Sequence, residues 1–315
     1  MAIGSMTTNG TVSVIDKTLS ISGAPADAAE VGKELDKRYT KGETYTREEI
    51  DQKLFYSAPN LLDNWYFVNP VNQRGYTGSS GKAQYTIDRW INGDVWTSGA
   101  CAAQVYPGNF SYQQGLFQRL GYPLSKLAGM TVTGTVLYVD NTLVTDTLTL
   151  PSAIGADQQY NHIHADALVL RDLTGVGAEY FIQTANPVSV IAVKLEIGSR
   201  QTLAHQENGV WVLNEIPDYG EQLRKCQRYY YKCNQIQGPS WGYCTLKTYV
   251  VGSIPFPVPM RTTPTITVIG CLNIRTQPVT VTSVTCNQYG IGFFNAPDAT
   301  VGNAYSLQFE ASAEL

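Results

Sequence analysis

Segments in which polar and apolar residues alternate, separated by short turn sequences, constrain the fold of this chain most strongly. In Thr131–Leu137 (TVTGTVL) this alternation directs one set of side chains to each side of an extended strand. The pattern predicts a half-buried strand of an antiparallel sheet. The segments predicted as strands are Tyr85–Trp90, Met130–Tyr138, Thr145–Leu150, Ala167–Arg171, Glu179–Gln183, Ser189–Ile197, Trp241–Val251, Thr265–Gly270, Val279–Thr285, Gly290–Phe294 and Tyr305–Glu310.

Many short strands joined by turns are typical of an antiparallel β-sandwich or jelly roll. We predict a mainly β protein, with a short N-terminal helical segment followed by two antiparallel β-sandwich or jelly-roll-like domains. Changes in composition divide the chain into residues 1–56, 57–204 and 205–315. The last region is predicted to open with a helix over 220–230. Four prolines in 255–264 predict an edge or a crossing segment rather than a central strand.

The N-terminal region carries a dense share of the charge and two thin amphipathic patterns. The first predicts a helix over Ala26–Tyr39, and the capping box Thr46–Glu49 opens a second that runs through Leu54. Apolar stripes this narrow do not build the core of a monomer. Either several copies of the chain pack together here, or a helical hairpin docks on the next domain; we favour the first.

Composition excludes several classes of partner. The net charge is −4, and no cluster of Lys and Arg stands out, so neither duplex nucleic acid nor an anionic membrane surface is expected as a partner. No window of 18 residues is apolar throughout, and we expect no membrane insertion. The start lacks the pattern of a signal peptide, so synthesis in a cytoplasm is expected. The six cysteines have no zinc-binding spacing and are expected to be thiols.

Two histidines are the sharpest candidate for metal chemistry. His162 and His164 are two residues apart, so in a strand they share a face, and three chains around an axis would offer six nitrogens. The alternative, which we favour, is a pair of exposed histidines in a polar turn. No cofactor is expected. The aspartates are scattered without a facing pair for glycoside hydrolysis, and the chain is not predicted to be an enzyme.

Aromatic residues give the more useful signal, because sugar rings present apolar C–H faces that stack on exposed aromatic rings. Trp65, Phe67 and Trp90 are predicted to be core residues. The candidates for a carbohydrate- or receptor-binding surface, which lie beside or near Gly, Asn or Ser turns, are Tyr76, Trp96, Trp241, Tyr243 and Tyr289. Polar neighbours suited to hydrogen bonds with a sugar are Asn92, Asn234, Gln237 and Asn287.

Several motifs, taken in order, resemble proteins of bacteriophage and prophage tails. Asn60–Gly75 (NLLDNWYFVNPVNQRG) with Tyr85–Trp90 (YTIDRW) and the later Lys194–Gly198 resembles their jelly-roll, carbohydrate-binding-like module. Cys226–Tyr230 followed by Pro255–Thr265 resembles the C-terminal domain of many tail fibres. At the start, DKTLS and APADAA resemble the attachment segment of phage structural proteins.

This resemblance implies a homotrimer in the virion tail, with residues 1–56 attached to a tail or baseplate protein. It implies that the C-terminal domain faces the host, it does not fix which domain contacts the receptor, and it carries over no catalytic residues. We predict 205–315 as the distal, receptor-binding tip. The expected function is attachment to host cell-surface polysaccharide as a tail fibre or receptor-binding protein. The alternatives are a structural baseplate or adaptor subunit without receptor contact and, third, a tailspike that depolymerises glycan.

Overall fold

The computed structural model describes residues 5–8, 11–14, 57–93, 101–161, 167–234, 241–246, 248–273 and 275–314. Met1–Tyr56 and Ser57–Leu315 are separate compact units. Within the first unit, a two-stranded antiparallel hairpin of β1 (Ser5–Thr8) and β2 (Thr11–Val14) is described. The helices predicted over Ala26–Tyr39 and Thr46–Leu54 lie outside the described residues.

The predicted fold class is confirmed, because the described chain is mainly β and forms two curled antiparallel sheets. A ten-stranded sheet lies within 57–204 and a seven-stranded sheet within 205–315, while the trimer stays a prediction. The strands of the ten-stranded sheet are β3 (Gly78–Ser80), β4 (Gln84–Tyr85), β5 (Trp90–Asn92), β6 (Ala102–Tyr106), β7 (Asn109–Arg119), β8 (Thr131–Tyr138), β9 (Leu143–Thr149), β10 (Gln158–Asn161), β11 (Val169–Leu173) and β12 (Gly177–Ile197).

The long strand β12 connects the parts of the ten-stranded sheet. Its first part and Val188–Val190 pair with β7, and Val190–Ile197 pairs with β8. The sequence predicts two strands here, but one strand forms, because the irregular pairing between Thr184 and Val188 shifts the register without ending the strand. The single strand predicted over Tyr85–Trp90 is also wrong. Arg89 adopts a φ of 73°, and the segment turns between β4 and β5.

The core of the ten-stranded sheet contains the aromatic residues that the sequence assigns to it. Trp65, Phe67 and Trp90 are buried, as predicted. The Phe67 ring lies 5.2 Å from that of Trp90 and 5.4 Å from that of Phe110, centre to centre. The indole nitrogen of Trp90 donates a hydrogen bond to the Asn64 carbonyl oxygen at 2.9 Å, which satisfies its polar atom.

The seven-stranded sheet begins after a separate hairpin of β13 (Ala204–Glu207) and β14 (Val210–Leu213). The segment Trp241–Val251 is predicted as one strand but forms a hairpin, with Thr248 at a φ of 83° in its turn. The strands of this sheet are β15 (Tyr230–Cys233), β16 (Trp241–Leu246), β17 (Tyr249–Pro255), β18 (Thr265–Asn273), β19 (Ser283–Asn287), β20 (Gly290–Asn295) and β21 (Ala304–Ser312).

Two helical segments accompany the sheets: α1 (Tyr219–Gln227) and a 3-10 turn at Leu124–Leu127. The helix predicted over 220–230 is present but ends at Gln227, because Tyr230 pairs with Ser312 as the first residue of β15. Its start is set by Asp218, whose side chain accepts a hydrogen bond from the Glu221 amide at 2.7 Å. Across the described residues, no helix combines the length and the apolar character that crossing a membrane requires.

A cluster of charged and aromatic side chains is buried where the two sheets meet, and we call it the junction cluster: Arg74, Arg89, Tyr229, Tyr230 and Glu314. The guanidinium of Arg89 lies 3.4 Å from the centre of the Tyr229 ring, and that of Arg74 lies 3.8 Å from the centre of the Tyr230 ring. Both arginines pair with Glu314, at 2.8 and 3.1 Å. Buried charges are tolerated when they are paired, so these contacts connect the sheets without an isolated ion.

A second buried pair lies in the Lys194–Gly198 motif. The Lys194 ammonium donates a hydrogen bond to Ser57 Oγ at 2.7 Å, and Glu196 accepts one from the Thr202 amide at 2.7 Å. Burial lowers the pKa of Lys194 and raises the pKa of Glu196. These contacts attach the segments before and after the ten-stranded sheet to β12, so the motif has a structural role.

Candidate functional site

Four adjacent strands of the seven-stranded sheet contain no charged residue, although 15% of the whole chain is charged. Their order in the sheet is β16, β17, β20 and β19. Their sequences are WGYCTL, YVVGSIP, GIGFFN and SVTCN. The solvent-facing side of an antiparallel sheet is usually polar. An outer side without charged residues is therefore a candidate binding surface.

The pairing of these strands aligns exposed apolar side chains in one row. Tyr243 lies opposite Val251, Val251 opposite Phe293, and Phe293 opposite Thr285. Tyr249 precedes Val251 by two residues on the same side, and its ring centre lies 6.2 Å from that of Phe293 in an edge-to-face arrangement. We call Tyr243, Tyr249, Val251 and Phe293 the aromatic face. Their exposed fractions are 61%, 44%, 48% and 39% respectively.

Alternation along the strands determines which side chains reach this surface. Cys244, Val250 and Phe294 immediately follow or precede members of the aromatic face and are buried in the core beneath the sheet. The first residue of β20, Gly290, lies close to the backbone at the end of β17. A Cβ atom on Gly290 would lie 2.4 Å from the Ile254 carbonyl oxygen, so the approach requires glycine.

The aromatic face is suited to binding an uncharged, partly apolar ligand. Its rings offer flat surfaces for stacking against C–H groups, as the sugar faces of a glycan provide. Ser283, Thr285 and Asn295 lie on the same side of β19 and β20 and supply hydroxyl and amide groups for hydrogen bonds. These four strands carry no Asp, Glu, His, Lys or Arg residue.

The structure places two of the predicted binding residues on the surface. Tyr243 belongs to the aromatic face, and Tyr289 is exposed to 60% in the turn between β19 and β20. The Asn287 side chain accepts a hydrogen bond from the Tyr289 amide at 2.8 Å, so it shapes this turn. Trp241 lies on β16, where its backbone pairs with Ser306.

The other predicted binding residues are not brought together with them. Tyr76 packs against the core of the ten-stranded sheet, and its hydroxyl donates a hydrogen bond to the Ala103 carbonyl oxygen at 2.7 Å. Asn92 is buried and donates to the Gly81 carbonyl oxygen, so it is not an exposed partner for a sugar. Asn234 is exposed. The predicted residues that lie outside the described part of the chain are Trp96, His162, His164 and Gln237.

Three members of the aromatic face are absent from the predicted site: Tyr249, Val251 and Phe293. The signal was present in the sequence, because Tyr249 and Val251 are two residues apart and flank the buried Val250. Treating Trp241–Val251 as one strand hides this signal. The turn at Thr248 is what brings Val251 back beside Tyr243.

The ten-stranded sheet carries two clefts that meet at Pro187. One, of about 570 Å³, is lined by Tyr138, Asp140 and Gln183 among others, and one of about 520 Å³ by Tyr106 and Gln104 among others. Both lie beside the irregular pairing in β12. They are a second location at which the predicted carbohydrate-binding-like module offers a concave surface.

Within the described residues, no group of three or more His, Cys, Asp or Glu side chains is arranged to hold a metal ion. All six cysteines fall in the described part of the chain and are thiols rather than disulfides, as predicted. The chain matches no protein-family model, and no curated protein or solved structure is significantly similar to it.

Proposed function

We propose that this protein is a receptor-binding protein of a phage tail, which attaches to a glycan on the host surface through the aromatic face. The observation that carries the proposal is the uncharged, aromatic outer side of β16, β17, β20 and β19. Exposed aromatic residues beside hydroxyl and amide groups provide stacking and hydrogen bonds without charge. The ordered tail-protein motifs of the sequence support the same function.

A trimer would present three such faces. When one site has bound a polymer, the other two sites are held near further sugar units at a high effective concentration. The avidity of the trimer for the polymer therefore exceeds the affinity of one site for one sugar unit, without any new contact. The glycan coat of a cell is a repeating polymer, so several sites of one trimer can bind it at the same time.

The experiment is a binding screen of the full chain on a glycan array, followed by titration of the strongest ligand. The variant Tyr243→Ala with Phe293→Ala removes two rings of the aromatic face. We expect binding to weaken by about tenfold or more, because each stacked ring contributes roughly 0.5–1.5 kcal/mol. Folding should be nearly unchanged, since both side chains are exposed.

The matched control is Tyr106→Ala, which removes another exposed tyrosine, in this case beside a cleft of the ten-stranded sheet. Unchanged binding of this control supports the aromatic face. Loss of binding in Tyr106→Ala alone would instead move the site to that cleft.

The same surface also favours a second candidate function, a structural baseplate or adaptor subunit. An exposed apolar face of this kind resembles the centre of a subunit interface. In that case the double variant would change the mass of the assembly and leave glycan binding undetected in both forms.

A further inference from the structure

A second surface of the seven-stranded unit differs from the aromatic face in charge. A cleft of about 560 Å³ opens between the end of α1 and the proline-rich crossing segment, and we call it the cationic cleft. Four of its lining residues are cations and one is an acid. Its charged lining residues are Glu221, Arg224, Lys225, Arg228 and Arg261.

The charges in the cleft do not cancel one another. Glu221 pairs with Lys225 at 3.7 Å, one helical turn away. Within the part of the chain that the structure describes, Arg224 and Arg228 form no ion pair. Arg261 makes one long contact, from Nε to the Ala313 carbonyl oxygen at 3.4 Å. Three arginines that line this cleft are therefore without an ion pair among the described residues, in a protein whose net charge is −4.

Helix electrostatics accounts for part of this arrangement. Cations are favoured in the last turn of a helix because the helix dipole places negative partial charge there. That explains Arg224 and Lys225. It does not explain Arg261, which comes from the crossing segment and reaches the cleft because its amide donates a hydrogen bond to the Arg228 carbonyl oxygen at 2.7 Å.

The floor and rim of the cleft suit a sugar. Val258, Pro259 and Met260 give an apolar floor, and Gln288 provides an amide. Gln288 immediately precedes the exposed Tyr289, and its carbonyl oxygen accepts a hydrogen bond from the Met260 amide at 2.8 Å. This bond attaches the β19–β20 turn, which carries the exposed Tyr289, to the crossing segment that forms one side of the cleft.

We infer that the cationic cleft binds the anionic group of an acidic surface glycan, either the carboxylate of a uronic acid or the phosphate of a sugar phosphodiester. This inference rests on the proposed function and names the class of glycan. Arginine suits both groups, because its planar fork donates two parallel hydrogen bonds to a carboxylate or a phosphate. Tyr289 would stack on the neighbouring sugar ring, at one end of the strands that carry the aromatic face.

The experiment titrates the full chain with three defined probes: an oligogalacturonate, its neutral methyl ester and a glycerol phosphate oligomer. We expect an acidic probe to bind and the methyl ester to bind at least about tenfold more weakly, with affinity that falls as salt rises. The source of the anion follows from which acidic probe binds. Arg224→Gln with Arg228→Gln should weaken acidic binding by about tenfold or more.

The matched control is Lys126→Gln with Arg275→Gln, which removes the same charge from exposed sites elsewhere. It should change the affinity by less than about twofold, because surface charges at a distance are screened. Equal losses in both double variants would overturn the site, as would equal binding of the ester and the acid. If no acidic probe binds while a neutral glycan on the array does, the inference fails and the proposed function stands. If nothing binds at all, both fail.

Discussion

The Arg89 guanidinium donates from Nη1 to Glu314 Oε2 at 2.8 Å, although the two residues are 225 positions apart in the chain. Arg89 lies in the turn before β5 and Glu314 follows β21, so this ion pair, together with that of Arg74 and Glu314, connects the two sheets. Arg89 also donates to the Arg119 carbonyl oxygen and contacts Asp63 at 3.4 Å. A buried arginine with this many partners keeps its charge and holds its turn at a positive φ.

Glu314→Gln should therefore destabilise the protein strongly. The variant removes the charged partner that Arg89 and Arg74 share, and it leaves them only the longer contacts with Asp63 at 3.4 Å and Asp88 at 3.9 Å. Breaking a buried pair on one side costs roughly 3–5 kcal/mol, and the midpoint of urea unfolding measures it. The control Glu221→Gln breaks only an exposed helical pair and should cost about 0.5 kcal/mol or less. Equal effects would contradict a connecting role for Glu314.

Asp88 makes stability depend on pH. Burial raises the pKa of this carboxyl to about 6, although a hydrogen bond from Gln73 at 2.6 Å opposes the shift. The folded protein therefore binds this proton more tightly than the unfolded chain does, whose value is near 3.8. The contribution of Asp88 is fully present below about pH 4 and is lost as the pH rises through about 6. The loss at neutral pH is about 3 kcal/mol.

Asp88→Asn tests this, because asparagine does not titrate. The difference in unfolding free energy between the wild type and this variant should increase in favour of the wild type as the pH falls from about 7.5 to 4.5. Urea titrations at several pH values measure the difference. A difference that stays constant over this range would rule out Asp88 as the titrating group.

Thr248 holds an unfavourable backbone conformation in the turn between β16 and β17. Its φ of 83° is rare for a β-branched residue, whereas asparagine tolerates this region. Thr248→Asn should raise the free energy of unfolding by about 0.5–1 kcal/mol, and calorimetry measures it. Thr265→Asn, on a strand, is the control and should give no gain. A loss of stability in Thr248→Asn would contradict this prediction, because it would mean that contacts of the threonine side chain stabilise the turn by more than its backbone conformation costs.

The mass in solution tests the predicted trimer. Light scattering on a sizing column should give three times the 34.5 kDa of one chain, about 103.5 kDa. The reason is that the thin apolar stripes predicted in residues 1–56 need neighbouring copies to bury them. A mass of 34.5 kDa would mean that this segment does not associate by itself, and it would remove the avidity from the proposed function.

The alternation of polar and apolar residues was sufficient to predict the fold class. It failed where a segment contained a turn or where polar and apolar residues did not alternate. The burial of Trp65, Phe67 and Trp90 and the start of α1 follow from residue type and spacing. The hairpin of β6 and β7 has no predicted counterpart. The sequence of β7, NFSYQQGLFQR, does not show a clear alternation of polar and apolar residues from which a strand could be predicted. Nevertheless, β7 lies at the centre of the sheet. Pairing with β12 on one side, and with β5 and β6 on the other, supplies the order that its own pattern lacks.

The sequence by itself determined that the chain is mainly β, where β8, β16, β18, β20 and β21 begin, and that Trp65 and Trp90 are buried, because these follow from the period of each segment. Only the tertiary structure decided the pairing of Arg89 with Glu314, the alignment of Tyr243, Val251 and Phe293, and the meeting of Arg228 with Arg261. Each of these depends on which distant segments become neighbours. The periodicity of a segment indicates which of its side chains are buried and which are exposed. The packing of the whole chain determines which other segments lie beside that strand or helix.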